Sequence, residues 1–210
     1  MEYSAEYNYC EAHTTLPHPI LRELERVAYQ RTLRPQQISG AVQGQLLNLL
    51  VKISGAERIL EVGTFVGYST ICMAAALPEG GHIDTIEAND ELGYLIREYF
   101  EKSGLQDRIS LYLQDAGDLV PTLVDNSYDL IFMDAGKRHY RAHYELCLPK
   151  LRPGGLLLAD NLLWRGKVYG SERDPDTDTI RAFNDFVHAD ERTEQILLPL
   201  RDGLMLIRKL

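Results

Sequence analysis

Apolar residues recur along this chain first at helical and then at strand spacing. Over 19–30, Ile20, Leu21, Leu24 and Val27 fall on one face, and over 36–53 Leu46, Leu47, Leu49, Leu50 and Val51 do the same, so two helices are predicted ahead of any strand. From Arg58 onward short apolar runs take over. RILEV (58–62), HIDTIEA (82–88), ISLYLQD (109–115), YDLIFMDA (128–135) and GGLLLADN (154–161) read as strands, with helices over 68–77, 91–103 and 139–148 among them. Strands alternating with helices predict an α/β fold, a mostly parallel sheet with helices on both faces. IRAFNDFVHAD (180–190) reads as a further helix. ILLPL (196–200) and LMLIRK (204–209), joined by Arg201-Asp202-Gly203, then predict a closing antiparallel hairpin. The polar segment 165–178 has no regular period and is either a surface loop or a substrate-side loop.

Length and composition narrow the class. At 210 residues the chain suits one domain, 1–210, in which 1–55 forms a helical cap. A composition of 45% hydrophobic and 25% charged residues excludes a disordered or coiled-coil chain. The formal charge of −9 disfavours broad contact with nucleic acid phosphates and favours a small polar ligand. Cys10, Cys72 and Cys147 are far apart with no C-x-x-C pair, which suggests neither a disulfide framework nor a structural zinc site. Residues 1–13 carry acids where a signal peptide needs basic residues, and no run approaches eighteen apolar residues, so a cytoplasmic protein with no membrane partner is expected.

The chemistry concentrates at strand ends. In ILEVGTFVGYS (59–69) a strand, a glycine-bearing turn and a helix start follow one another, which lets backbone N–H groups approach a ligand at the carboxyl edge of the sheet. The spacing E-x-G-x-x-x-G is not that of a dinucleotide site, and Glu61 would repel a pyrophosphate but suit an ammonium or sulfonium group. Glu87, closing the second strand, has the chemistry to accept hydrogen bonds from both ribose hydroxyls, and Asp115-Ala116 at the third strand end suits an adenine edge. In order, these predict a groove for an adenosine with a positively charged tail. Asp134 after strand four, with Asp160 and Asn161 after strand five, offers three oxygens to one hard cation, Mg²⁺ or else Ca²⁺ or Mn²⁺; alternatively Asp160-Asn161 caps a turn. Lys137, three residues beyond Asp134, is near enough to take a substrate proton if its pKa is lowered.

With ILEVGTFVGYST, TIEAND, YDLIFMDAGKRHY, LRPGGLLLADNLLWRGKV and LLPLRDGLMLIRK in this order, the chain resembles the cation-dependent O-methyltransferases of the caffeoyl-CoA and catechol type over about residues 35–210. The resemblance implies a Rossmann-like seven-stranded sheet, S-adenosylmethionine as methyl donor and a homodimer. It makes Glu61, Gly63, Thr64 and Ser69, with Tyr68 beside them, contacts to the donor's methionine part. Glu87 would hold the ribose, Asp115 and Ala116 would border the adenine, and Ser39 would touch the donor from the N-terminal region. Asp134, Asp160 and Asn161 match the metal ligands, with Asp134 also bordering the donor, and Lys137 matches the catalytic lysine. One departure stands out: many members read Asp-Ala-Asp-Lys where this chain has Asp134-Ala135-Gly136-Lys137.

The expected activity is therefore divalent-metal-dependent methyl transfer from S-adenosylmethionine to a hydroxyl of a catechol-type or hydroxycinnamoyl small molecule. Trp164 and Tyr169 line an aromatic acceptor or serve as packing. One alternative is a tRNA 5-hydroxyuridine O-methyltransferase, with Arg138, Arg141, Arg165, Lys167 and Arg173 as a local basic rim. The other is a nucleoside-binding module without turnover, against which the retained metal-ligand positions and Lys137 argue.

Overall fold

The computed structural model describes residues 5–210; the first four residues of the expected cap, and of the acidic segment 1–13, lie outside the described residues. Its strands are β1 (Arg58–Val62), β2 (His82–Glu87), β3 (Ile109–Leu113), β4 (Tyr128–Met133), β5 (Leu151–Ala159), β6 (Thr193–Leu198) and β7 (Leu204–Lys209). They form one seven-stranded sheet in the order β3-β2-β1-β4-β5-β7-β6. The pairs β2–β3, β1–β4 and β4–β5 are parallel, and β7 is antiparallel to both β5 and β6. This is the expected mostly parallel, Rossmann-like α/β sheet with a C-terminal hairpin. The helices are α1 (Ala5–Ala12), α2 (Leu21–Arg31), α3 (Gly40–Ser54), α4 (Tyr68–Ala74), α5 (Gly93–Ser103), α6 (Ala116–Leu119), α7 (Tyr140–Cys147) and α8 (Pro175–His188). None of them is long and apolar enough to cross a membrane.

The chain gathers into two compact units. One comprises the residues up to Glu57 together with Thr64–Leu113, and the other comprises Arg58–Gly63 with Gln114–Leu210. In the first, α2 buries Leu21, Leu24, Val27 and Ala28 in a cluster with Ile71, Cys72, Leu95, Ile96 and Tyr99. The helix predicted over 36–53 is divided: Pro35–Gln37 is a 3₁₀ turn, and α3 begins only at Gly40, whose φ of +73° breaks the helical path. Helix α3 then packs on α4, where Asn48 Nδ2 donates to the Cys72 carbonyl at 2.8 Å.

In the second unit Leu130, Ile131, Phe132 and Met133 of β4 are wholly buried. A parallel strand covered on both faces reads as an unbroken apolar run for that reason. Helices α7 and α8 meet through rings, with Phe183 edge-on to Tyr140 and Tyr144 at 5.4 and 5.9 Å between centroids. Helix α8 starts at Pro175, five residues before the predicted 180–190 helix. Asp174 caps it, accepting from Thr177 N–H at 3.0 Å, and a proline stands in its first turn. The segment 165–178 is thus a 3₁₀ stretch (Trp164–Tyr169), a short link and the first turn of a helix.

Beyond α8, Asp190 is held by Arg192 at 2.6 Å and by the Tyr144 hydroxyl at 2.9 Å, while Arg192 also pairs with Glu145 at 3.2 Å. Hydrogen bonds from the Arg192 guanidinium depress the Asp190 carboxyl to about 2. A carboxylate with a lowered folded-state pKa stabilises above its unfolded pKa and loses that contribution as pH falls through the folded value. Asp190→Asn is therefore expected to cost on the order of 1 kcal/mol at pH 7. The difference from wild type should shrink between about pH 4 and pH 2, as the native carboxyl protonates. Urea melts at both ends of that range read it, and an unchanged difference would contradict it.

Candidate active site

The ends of β1, β4 and β5 come together in the second unit through the sheet's register. Val62 pairs with Met133 and Met133 with Ala159. The ladder continues one step further, since Asp134 N–H donates to the Val62 carbonyl at 2.8 Å and Asp160 N–H to the Met133 carbonyl at 3.1 Å. Asp134 and Asp160 therefore leave neighbouring strands at the same level. Glu61, on β1, is wholly buried beside Phe132. Gly63 follows with φ +106°, and a Cβ placed there would lie 2.4 Å from the Asp134 carbonyl oxygen. Only glycine lets the two backbones approach this closely.

Lys137 and Tyr140 link the Asp134 carboxylate to the main chain at Asp160. Lys137 Nζ donates to Asp134 Oδ1 at 2.7 Å and to the Tyr140 hydroxyl at 2.6 Å. That hydroxyl in turn donates to the Asp160 carbonyl at 2.8 Å, with the Met133 carbonyl at 3.3 Å. Asp160 is 3% exposed, and its Oδ1 accepts from Asn161 N–H at 2.7 Å, with Asn161 held at φ +62°. Burial pulls the Lys137 pKa down, but the charges of Asp134 and Asp160, with the Tyr140 hydroxyl beside them, pull it further up, and the net direction is upward. In this arrangement Lys137 is an ion-paired ammonium.

Asp134, Asp160 and Asn161 carry two carboxylates and one amide at these adjacent strand ends. Among the described residues no third carboxylate, His or Cys completes a larger cluster. Hard oxygens at adjacent strand ends, with Asp160 buried, fit Mg²⁺ or Ca²⁺ and not zinc. Gly136 has φ −59°, and an added Cβ would meet only His139 Cδ2, at 3.9 Å, so the backbone does not require glycine there. Asp115 lies past the end of β3 and caps α6, accepting from Gly117 N–H at 2.7 Å, with Ala116 buried behind it. The predicted strand 109–115 is thus shorter than expected, because this carboxylate turns the chain into a helix.

In the first unit, Thr64 is buried, its N–H donating to the Ile86 carbonyl at 3.1 Å and its hydroxyl 2.6 Å from that of Thr85. Phe65 takes a left-handed φ of 51° and donates its N–H to Glu87 Oε2 at 2.7 Å, while Asn89 N–H reaches Oε1 at 2.9 Å. The Glu87 carboxylate is thus oriented by main-chain amides, with those of Ala88 and Thr64 also acting on it. Burial raises the Glu87 pKa, and these amides oppose the rise. Ser69 is buried on α4; Tyr68 is too, and its hydroxyl has no hydrogen-bond partner among the described residues. An orphaned buried hydroxyl fits a site that a polar ligand completes. Ser39 is buried just ahead of α3, the helix that packs on α4.

The O-methyltransferase family model matches residues 11–210. The chain belongs to the O-methyltransferase family. Among relatives of this O-methyltransferase, a probable caffeoyl-CoA O-methyltransferase of Dictyostelium discoideum is 31% identical, covering 97% of this chain and 90% of its own. A caffeoyl-CoA O-methyltransferase of Zea mays is 36% identical, with coverages of 81% and 69%. The crystal structure of the Bacillus cereus O-methyltransferase in complex with SAH superposes with a TM-score of 0.83 at 32% identity, covering 90% of each chain.

Four residues of this O-methyltransferase enter the picture only with the fold. Tyr140 stands three residues past Lys137, so the spacing D-x-x-K-x-x-Y was a usable signal. Phe65 and Thr85 carried none, because their roles depend on backbone orientation across β2. Asp202 reads in the sequence as a turn residue, yet it is partly buried and within electrostatic reach of Lys137, and burial raises its pKa.

Proposed function

We propose that this O-methyltransferase moves the methyl group of S-adenosylmethionine to a hydroxyl of a catechol-type or hydroxycinnamoyl small molecule, with a divalent cation, Mg²⁺ or else Ca²⁺ or Mn²⁺, held by Asp134, Asp160 and Asn161. The observation that carries the reading is the placement of two carboxylates, Asp134 and Asp160, on neighbouring strand ends, with Lys137 paired to the Asp134 carboxylate and linked through the Tyr140 hydroxyl to the Asp160 main-chain carbonyl. S-Adenosylmethionine supplies an electrophilic methyl group, and the cation supplies a Lewis acid and a template for two adjacent acceptor oxygens. Glu61, Gly63, Thr64, Tyr68 and Ser69 bind the methionine portion, with Ser39 from the start of α3; Glu87 takes the ribose, and Asp115 and Ala116 border the adenine.

Lys137 takes the proton from the acceptor hydroxyl. What holds its pKa up is the charge of the neighbouring oxygens, whereas burial, the largest influence, pulls it down. Were a cation held by Asp134 and Asp160, its charge would offset theirs, burial would lower the Lys137 pKa, and the ammonium would release its proton to solvent, leaving a neutral amine to act as the base. As the acceptor oxygen–carbon bond forms, the sulfur–carbon bond breaks, its electron pair staying on sulfur, and the proton resides on Lys137 Nζ. The protein's share is orientation and charge placement.

A tRNA acceptor has less support. Lys167 pairs with Asp174 at 3.1 Å, Arg138 pairs with Asp176 at 3.0 Å, and Arg141 lies 4.2 Å over the Phe186 ring, so much of the expected basic rim is neutralised or covered. The reading includes a cytoplasmic homodimer, for which exposed Leu49 and Ile53 on α3 offer apolar surface.

The test is donor consumption on a panel of catechols, hydroxycinnamoyl esters and total tRNA, with and without a chelator. Transfer to a vicinal diol is expected, falling at least about 100-fold with chelator and returning with Mg²⁺. Full turnover in chelator overturns the metal assignment; transfer to tRNA alone overturns the acceptor class; donor binding without transfer to anything favours the binding module.

A further inference from the structure

After Asn161 the chain turns on three successive residues of left-handed backbone, Trp164 (φ 47°), Arg165 (φ 57°) and Gly166 (φ 79°). Two of them carry side chains, and such strain persists only where neighbours enforce it. Asp202, in the β6–β7 turn, accepts from the N–H of Arg165 with its carboxylate and from Leu163 N–H with its carbonyl at 2.7 Å. Arg181, on α8, holds the remainder. Its Nε donates to the Val168 carbonyl at 2.9 Å and its Nη2 to the carbonyls of Lys167 at 2.6 Å and Gly170 at 3.0 Å. Its Nη1 reaches the Glu172 carbonyl at 2.7 Å and Asp178 at 3.0 Å. Four main-chain carbonyls and one carboxylate thus consume the donors of a single guanidinium, whose planar fork suits such convergence.

Core burial does not account for so fixed a loop, because Tyr169 is 77% exposed and no residue of Trp164–Tyr169 is buried. The loop does begin immediately beyond Asp160 and Asn161, and its entry is pinned by Leu162 N–H on the Gly203 carbonyl at 2.9 Å and Leu163 N–H on the Asp202 carbonyl. Its shape is therefore tied to the oxygen cluster at one end and to Arg181 at the other.

We infer that Arg181 is a positioning residue that shapes the Trp164–Glu172 loop into the wall of the acceptor site, setting how tightly and which acceptors bind while taking no part in donor binding or methyl transfer. The inference rests on the function proposed above. Arg181→Met removes every donor at similar length; Arg181→Lys keeps the charge beside Asp178 but cannot span the carbonyls.

Steady-state kinetics over the acceptor panel, SAH titration and limited trypsin digestion read the two variants. In Arg181→Met the acceptor KM should rise about tenfold or more with kcat within about threefold, since small misplacement of a binding wall is costly. SAH affinity should hold, cleavage after Lys167 and Arg173 should quicken, and the relative preference among acceptors should change. Arg181→Lys should fall between. Normal wild-type turnover with unchanged KM in both variants overturns this inference alone, as does a parallel loss of KM, kcat and SAH affinity, which marks general destabilisation. A wild-type protein that transfers methyl to no acceptor sinks the proposed function and the inference with it.

Discussion

Replacing Asp160 with alanine is expected to lower kcat/KM by about 10³-fold, equivalent to about 4 kcal/mol of transition-state stabilisation, while leaving SAH affinity within about threefold. The asymmetry follows from what Asp160 touches. It is buried at the end of β5, and its carboxylate accepts from Asn161 N–H, so alanine removes one oxygen of the proposed cation set and releases a second ligand from its left-handed conformation. The bond from Tyr140 goes to the Asp160 backbone carbonyl and survives the substitution, which keeps Lys137 and Tyr140 tethered to β5. Glu87 and Thr64, assigned to the donor, are held from the first unit, by the amides of Phe65 and Asn89 and by the Ile86 carbonyl. Asp160→Asn separates charge from shape: it keeps an acceptor for Asn161 N–H yet should still lose about 10²-fold, because the missing element is negative charge on a hard ligand. Steady-state assays beside calorimetric SAH titration distinguish the cases. Wild-type turnover in either variant would remove Asp160 from the reaction, and a collapse of SAH affinity with folding intact would place it in the donor site instead.

Why so much of this site can be read before any coordinates, and some of it cannot, is a matter of which forces leave local marks. Central strands are legible because burial on both faces writes itself as consecutive apolar residues, as in β4, and the strand ends then locate Asp134 and Asp160. Helix α1 leaves no such mark, since none of its residues is buried. Strand β5 begins at Leu151, earlier than the apolar run from Gly154 suggests; its pairing with β4 shifts register between Tyr128 and Leu130, where Pro153 and Gly154 are accommodated. The start of α8 did carry a signal, Asp174-Pro175 followed by acids, but its polar first turn blends with the preceding loop. Within the site, Asp134, Lys137 and Glu87 are recoverable from position at strand ends. Arg181 is not: a lone arginine on an amphipathic helix has the appearance of a solvated charge, and only the returning loop supplies its four carbonyls. The direction of the Lys137 pKa is equally non-local, because it is decided by the balance between burial and carboxylates on two different strands.

Gly63→Ala should be the most damaging single methyl group in the turn after β1, costing about 3–5 kcal/mol of stability and abolishing measurable SAH binding in the protein that remains folded. Two penalties add. At φ +106° the residue lies outside even the small left-handed region open to other amino acids. The new Cβ would also stand 2.4 Å from the carbonyl oxygen and 2.7 Å from the carbonyl carbon of Asp134, which are backbone atoms that cannot rotate aside. Asp134 is itself pinned by its N–H bond to the Val62 carbonyl, so relief requires opening the β1–β4 edge where Lys137 pairs with Asp134. Gly55→Ala supplies the control, since Gly55 has φ +64° but an added Cβ meets nothing within 4 Å. That variant should lose only about 1–2 kcal/mol, the cost of the left-handed conformation alone, with SAH affinity unchanged. Chemical denaturation of both proteins separates conformational strain from collision. If the two substitutions prove equally mild and SAH still binds Gly63→Ala, the turn has slack, and a donor held by close backbone approach at Gly63 is the wrong account of it.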